Sequence, residues 1–418
     1  MELIPRARSA SDLGMLKRKG RLKEQDKLIE FIINMSQTHA PLETMDKVEN
    51  WVNEHRLNPF NSKLKRLIPE IGAFHTPLPL VRALEEYDEF FALSLRQYVP
   101  PNFAEIRHIL NMAQVHAIAP TLRLVTFDAD GTLYEDGQHI EQDSVMIALI
   151  MELMERGIDV AIVTAAGYPD EPEKFEARVH GLLSAFKKKQ LPDDVRNRFH
   201  IMGGECNYLL NVTPEYHLEF VPGQQWKCDY MMSWKEDDIA ATLDAAETLL
   251  VENAKLLQIP VQLIRKARAV GIVPTVSTIY EVLEELAIRL QVGLEEAMGG
   301  DGRNAVPFCA FNGGNDVFCD IGDKSYGLQS LMTYLHCQAG EVMHVGDRFT
   351  SSGNDNAARE LCSILWVAAP EETAFFMELL LDDIKQAHKS ELGGKISPRR
   401  QNGGGGNGNH AQQPQQQQ

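Results

Sequence analysis

Hydrophobic and polar positions along this 418-residue chain fall into distinct regimes. From Leu22 to about Pro120 the spacing is helical. Leu28, Phe31, Ile32 and Met35 recur at i, i+3, i+4 and i+7, one face of a helix. Further helices are predicted over residues 48–55, 80–98 and 103–117, divided by prolines. At Leu122 the pattern changes. Leu124, Val125 and Phe127 form a short apolar run that stops at an acidic loop. A helix over 143–156 follows and ends at Gly157, a residue suited to a helix terminus. Residues 159–163, 341–345 and 364–367 are further short apolar runs. Buried strands alternating with helices predict an α/β fold, a parallel sheet covered on both faces.

The stretch between Thr164 and Lys324 is too long for a single crossover. It holds a strand-like piece at 218–221 and an amphipathic helix with Ile239, Leu243, Ala246 and Leu250 on one stripe. Residues 308–312 and 315–318 flank Gly313-Gly314, which reads as a hairpin. The expected organisation is a flexible arm over 1–21 and a helical N-terminal regulatory or oligomerisation domain over 22–120. A Rossmann-like core spans 121–175 and 320–392, with an inserted α+β cap over 176–319. The Gly- and Gln-rich tail over 393–418 has too few apolar residues to offset the entropy of ordering and is expected to be disordered.

Composition narrows the partners. The formal net charge is −18, which argues against a nucleic-acid backbone or an anionic membrane as partner. A small anionic substrate needs only one local basic site. None of the six cysteines forms a CxxC pair, and reduced, buried thiols in a cytoplasmic chain are expected. No apolar run approaches the ~20 residues of a membrane helix, and the N-terminus lacks the apolar segment of a secretory signal. Asn211-Val212-Thr213 matches a glycosylation acceptor, without other support for secretion.

The acidic loop carries the candidate chemistry. Asp128 and Asp130 stand two positions apart at a strand end, so both can face one cavity. Their repulsion is relieved by a hard cation such as Mg²⁺, and Asp347, after another apolar run, is a natural additional ligand. With the cation, an acidic site becomes a phosphate receptor, and Lys324 and Thr164 can donate to phosphoryl oxygens. One carboxylate can attack phosphorus, giving an aspartyl-phosphate. The other can move protons.

These residues carry a resemblance. FDADGTLY, Val163-Thr164, Lys324 in DIGDKSYGLQSL and Gly346-Asp347 in VMHVGDRFTSSGNDNAAR stand in the order of the four motifs of the haloacid-dehalogenase-like phosphohydrolases. TFDADGTLYEDG, FNGGNDVFCDIGDKSYG and the helical N-terminal region further resemble the fungal and protozoan inosine-monophosphate-specific 5′-nucleotidases, over roughly residues 22–392. The resemblance implies Mg²⁺-dependent hydrolysis of inosine 5′-monophosphate (IMP) to inosine and phosphate, activation by ATP at a separate site, and a homotetramer. By position it makes Asp128 the nucleophile and Asp130 the acid/base. It assigns Mg²⁺ to Asp128, Asp347 and the backbone carbonyl of Asp130, and the phosphate to Thr164 and Lys324. Asp355, eight residues after Asp347, either reaches the metal through water or braces the loop.

Other residues admit two readings. Asp136 either accepts from ribose hydroxyls or is a solvated loop acid. Asp316 can accept the N1–H of hypoxanthine, a bond adenine does not offer, so AMP would leave it unpaired. By resemblance, the region of Arg107 and His108 binds the ATP effector; otherwise it is a helix face packed on the catalytic core. His344 reads as a core residue, and Trp226 and Trp234 as core of the cap. Two other functions compete: a phosphatase of the same superfamily for a sugar phosphate or another nucleotide, and a regulatory protein that binds nucleotide without turnover.

Overall fold

The computed structural model describes residues 24–298, 306–350 and 352–394. The expected arm (1–21) and most of the expected tail (393–418) lie outside the described residues. The chain opens with helices α1 (Lys27–Ser36), α2 (Pro41–Leu57), α3 (Leu80–Phe91) and α4 (Phe103–Ile118). Asp26 caps α1 through bonds from the N–H groups of Leu28 and Ile29. Asn102 and Glu105 form a reciprocal cap on α4. The third helix is shorter than its pattern predicts. Ala92 adopts a left-handed conformation that stops it, and a short 3₁₀ turn follows.

Strand β1 (Leu124–Phe127) leads through the acidic loop to α5 (Val145–Glu155), then β2 (Asp159–Val163), α6 (Pro172–Arg178) and α7 (His180–Lys189). Strands β3 (Phe199–Gly203), β4 (Tyr208–Val212) and β5 (Leu218–Phe220) come next. A second unit contains α8 (Glu236–Leu256), β6 (Val261–Arg265), β7 (Ala269–Pro274), α9 (Tyr280–Met298), β8 (Phe308–Asn312) and β9 (Val317–Ile321). The chain then returns through α10 (Lys324–Tyr334), β10 (Val342–Gly346), β11 (Ser363–Trp366) and α11 (Pro370–Gly394).

Seven strands form the main sheet in the order β11-β10-β1-β2-β3-β4-β5, parallel from β11 to β3 and antiparallel at β4 and β5. The other four form a separate antiparallel sheet, β6-β7-β9-β8. This corrects the expected cap of residues 176–319. Strand β3 pairs in parallel with β2, Val160 opposite Phe199, and is buried along its whole length. The piece at 218–220 is the edge strand of the same sheet. The true insert has its own apolar core from Ile239 to Ile321, including the stripe of Ile239, Leu243, Ala246 and Leu250. Periodicity identifies a short strand but not the sheet it joins.

The N-terminal helices do not stand apart as a domain either. Ile32, Val52, Ile106 and Ala113 belong to one continuous apolar core with the main sheet and α11. Polar ties reinforce it. His116 bridges Asp383 on α11 at 2.5 Å and Glu86 on α3 at 2.8 Å. No helix among the described residues is long and apolar enough to cross a membrane.

A buried histidine on β3 gives the fold a defined acid sensitivity. His200 bonds Asn211 Oδ1 through Nδ1 at 2.7 Å, and burial lowers its pKa to about 4. Between an unfolded value near 6.5 and about 4, the unfolded chain binds the extra proton, so stability falls as pH drops through that window. The wild type should lose roughly 3 kcal/mol more than His200→Gln between pH 6.5 and 4. Urea unfolding of both proteins across that range checks this; equal losses would refute it.

Candidate active site

Three adjacent strands, β10, β1 and β2, end side by side, with Phe127 opposite Val345 and Ile162. The residues just beyond those ends are Asp347, Asp128 and Thr164. Carboxyl ends of parallel strands open onto a ligand crevice in such sheets. Gly131, at φ +77°, turns the acidic loop, and a Cβ there would meet Asp347 Oδ2 at 2.9 Å. Only glycine allows both the turn and that approach.

Lys324 opens α10, whose N-terminus Asp323 caps through the N–H groups of Ser325 and Tyr326. Its side chain is fully buried. The ammonium donates to Asp128 and, at 2.6 Å, to Asp355 Oδ1. Burial alone would lower the lysine's pKa; Asp128, Asp355 and Glu205 overcome that and keep it protonated. Burial pushes the Asp128 carboxyl up against the pull of Lys324, and Asp355 and Asp347 push the same way. Asp355 is held well below the usual carboxylate range, because Lys324 and His344 outweigh its own burial.

His344 does more than fill the core. Burial lowers its pKa, which favours the neutral ring. Its Nε2 lies 3.0 Å from Asp355 Oδ1 and its Nδ1 2.8 Å from the Thr126 hydroxyl. The ring therefore donates to the acid and accepts from the threonine. The Arg348 backbone N–H takes the other Asp355 oxygen at 3.0 Å. With donors on both oxygens, Asp355 has the surroundings of a brace.

The donor set suits a hard divalent cation. One carboxylate oxygen each from Asp128, Asp347 and Asp355 lie within 4.8 Å of one another, and oxygen-only ligands are what Mg²⁺ takes.

A cleft of about 240 Å³ opens above these strand ends and is walled on its far side by the inserted sheet. Asp128, Asp130, Asp136, Thr164 and Asp316, all singled out in the sequence, line it. Lys324 does not line it and stands behind Asp128. Thr164 Oγ1 accepts from the Ala166 N–H at 3.1 Å, so it caps the loop as well as facing the cleft. Asp130 accepts from the Gly137 N–H at 2.9 Å and from Arg178 at 3.3 Å. Asp136 accepts from Asn315 Nδ2 across the cleft at 3.1 Å. Burial raises the Asp316 carboxyl, against Arg348.

Several lining residues escaped sequence reasoning. Arg178 and Lys266 are lone basic residues in or next to loops with no motif around them, and Arg348, though it follows Asp347 in the fourth motif, carries no signal of its own. Phe318 follows Asp316 by two positions and Asp320 follows by four, so period-2 alternation puts all three on the cleft side of the strand. Gly271 lies opposite Phe318, and a Cβ there would meet its ring at 2.4 Å.

Other candidates lie elsewhere. His108 packs against Tyr87, Phe375 and Phe376, with Glu372 3.6 Å away. Neighbouring Arg107 pairs with Glu372 at 2.8 Å and lines a larger cavity, about 720 Å³, beneath α1 and α4. His108 does not line it. Trp226 is buried in the main core, not in the cap, and Trp234 packs between the two cores.

A family profile described as IMP-specific 5′-nucleotidase matches residues 17–377, most of the chain. The chain belongs to the IMP-specific 5′-nucleotidase family. Members of this family are phosphoric monoester hydrolases. The IMP-specific 5′-nucleotidase 1 of Neurospora crassa is 42% identical over 342 residues, covering 78% of this chain and 79% of that protein. That of Plasmodium falciparum is 36% identical, covering 84% and 82%. An IMP-bound mutant of the Plasmodium falciparum IMP-nucleotidase superposes with a TM-score of 0.80 at 33% identity, covering 90% of this chain and all of the other. The ATP-bound form of that nucleotidase gives 0.78 at 34% identity, covering 89% and 90%.

Proposed function

We propose that this family member hydrolyses IMP to inosine and phosphate with Mg²⁺, through a covalent intermediate on Asp128. One observation carries the reading. The cleft that holds the Asp128 carboxylate and Thr164 at the strand ends also holds Asp136 and Asp316, and a nucleoside monophosphate needs both ends recognised.

Lys324, behind Asp128, pulls its carboxyl toward the charged form against the effect of burial and orients it, while Thr164 donates to phosphoryl oxygens. An Asp128 carboxylate oxygen attacks phosphorus, and the bond from phosphorus to O5′ breaks. Asp130 gives the departing O5′ its proton. Asp130 then takes a proton from water, the water oxygen attacks phosphorus, and phosphate leaves with Asp128 regenerated. Asp128, Asp347 and the backbone carbonyl of Asp130 would hold Mg²⁺, with Asp355 as brace; the ion offsets the charge of carboxylate and phosphate meeting. Asp136 accepts from the ribose hydroxyls. Asp316 accepts the N1–H of hypoxanthine.

ATP acts as an activator in this reading. The likeness to the ATP-bound relative supports it, as does the cavity beside Arg107, next to His108 in the chain. Exposed Phe90, Phe91, Leu95 and Tyr98 in the helical layer form a surface suited to the assembly of a homotetramer.

Phosphate release on a panel of IMP, AMP, GMP and ribose 5-phosphate, with and without Mg²⁺ and ATP, tests the proposal. IMP should exceed AMP by at least about 10²-fold in kcat/KM, the cost of leaving the half-buried Asp316 acceptor unpaired. Comparable turnover of all four compounds would sink the substrate assignment. Unchanged rates with ATP would sink the activation.

A further inference from the structure

The geometry points to Arg348 as the residue that positions the base-reading turn of the inserted sheet, a specificity role resting on the IMP reading above. Arg348 immediately follows Asp347 on the main sheet's side of the cleft. Its guanidinium reaches across to the insert and donates to two successive backbone carbonyls, those of Asn312 and, at 2.8 Å, Gly313. Those residues begin the turn between β8 and β9. The side chain is 16% exposed, so little water competes for these bonds.

The turn is built so that its shape decides where Asp316 points. The Gly313 N–H donates to the Asp316 carbonyl at 2.9 Å, and the Gly314 N–H donates to Asn312 Oδ1 at 2.8 Å. Gly314 sits at φ +97°, and a Cβ there would lie 3.1 Å from both Arg348 Nη2 and Asp136 Oδ2. A Cβ on Gly313 would lie only 1.9 Å from Asp316 Oδ1. The Asp316 carboxylate therefore rests against the α-carbon of the residue whose carbonyl Arg348 holds. A shift of that peptide moves the carboxylate. Asn315 supplies a second strut by donating to Asp136.

A guanidinium fork suits this task because it binds two acceptors in fixed geometry; an ammonium is a single point of charge. Arg348 is also anchored at its own end, where its backbone N–H is bound by Asp355. The loop that brings Asp347 to the phosphoryl end thereby sets the height of the base-reading turn.

The test compares IMP with ribose 5-phosphate, which shares the phosphoester and the sugar but lacks the base. Arg348→Met should raise KM for IMP about tenfold or more, with a smaller change in kcat, and erase most of the preference for IMP. Arg348→Lys should not restore it. Asn315→Ala, at an exposed position, should give a smaller loss of the same kind, and it keeps the test open if Arg348→Met fails to fold. Combined with Asp316→Asn, Arg348→Met should add little, because both act through one contact. An equal loss of kcat on both substrates, rescue by lysine, or additive losses with Asp316→Asn would each overturn the inference. A wild type with no preference for IMP over ribose 5-phosphate would instead overturn the functional reading itself.

Discussion

Replacing Asp128 by Asn lowers IMP turnover at least about 10⁴-fold, as expected when a covalent nucleophile is removed. The amide keeps the shape of the carboxylate and its place at the end of β1. It cannot form the phosphoenzyme. Lys324 retains Asp355 as a partner at 2.6 Å, so the fold should hold. IMP binding should persist, because Thr164, Asp136 and Asp316 are untouched. Single-turnover kinetics and calorimetry on the purified variant check this together. Retention of more than about 1% of the rate would remove Asp128 from the nucleophile role.

Replacing Lys324 by Met is the second large effect, and it falls on stability as well as rate. The ammonium is the shared partner of two buried carboxylates, Asp128 and Asp355. Taking one partner from a buried ion pair costs about 3–5 kcal/mol, chiefly from the charge left behind. Activity should fall about 10²–10³-fold through loss of the fixed cation that orients the Asp128 carboxylate. The destabilisation should shrink as pH is lowered, because protonating the stranded acids removes their charge. Urea unfolding at pH 7.5 and pH 5 measures it. A penalty independent of pH would mean that packing, and not charge, is what the lysine contributes.

The acidic end of the cleft is legible in the sequence because strand ends leave a strong local mark. Asp128, Thr164 and Asp347 each follow a short apolar run that stops abruptly, and the parallel sheet aligns those stops. Lys324 was legible as a residue at a helix start, though its depth behind Asp128 was not. The rest depends on contacts remote in sequence. Arg348 acts on carbonyls of residues 312 and 313, and backbone carbonyls leave no trace in residue type. His344 looks like any polar residue in an apolar strand until Thr126 and Asp355 are seen on its two nitrogens. The extent of the insert is not legible for a related reason. A run such as β3 is equally at home in either sheet, and only pairing with β2 decides.

Asp316 and Lys324 bracket a single five-residue strand, β9, with Gly322 and Asp323 as the link to the helix beyond. That strand serves as a ruler between the turn that carries Asp316 and the buried ammonium behind Asp128. Lengthening it by one residue would turn its side chains over and displace the ammonium together. A change in the strand's length would therefore disturb the turn at Asp316 and the partner of Asp128 at once, whereas a change of side chain at Phe318 or Asp320 would act on the cleft wall alone.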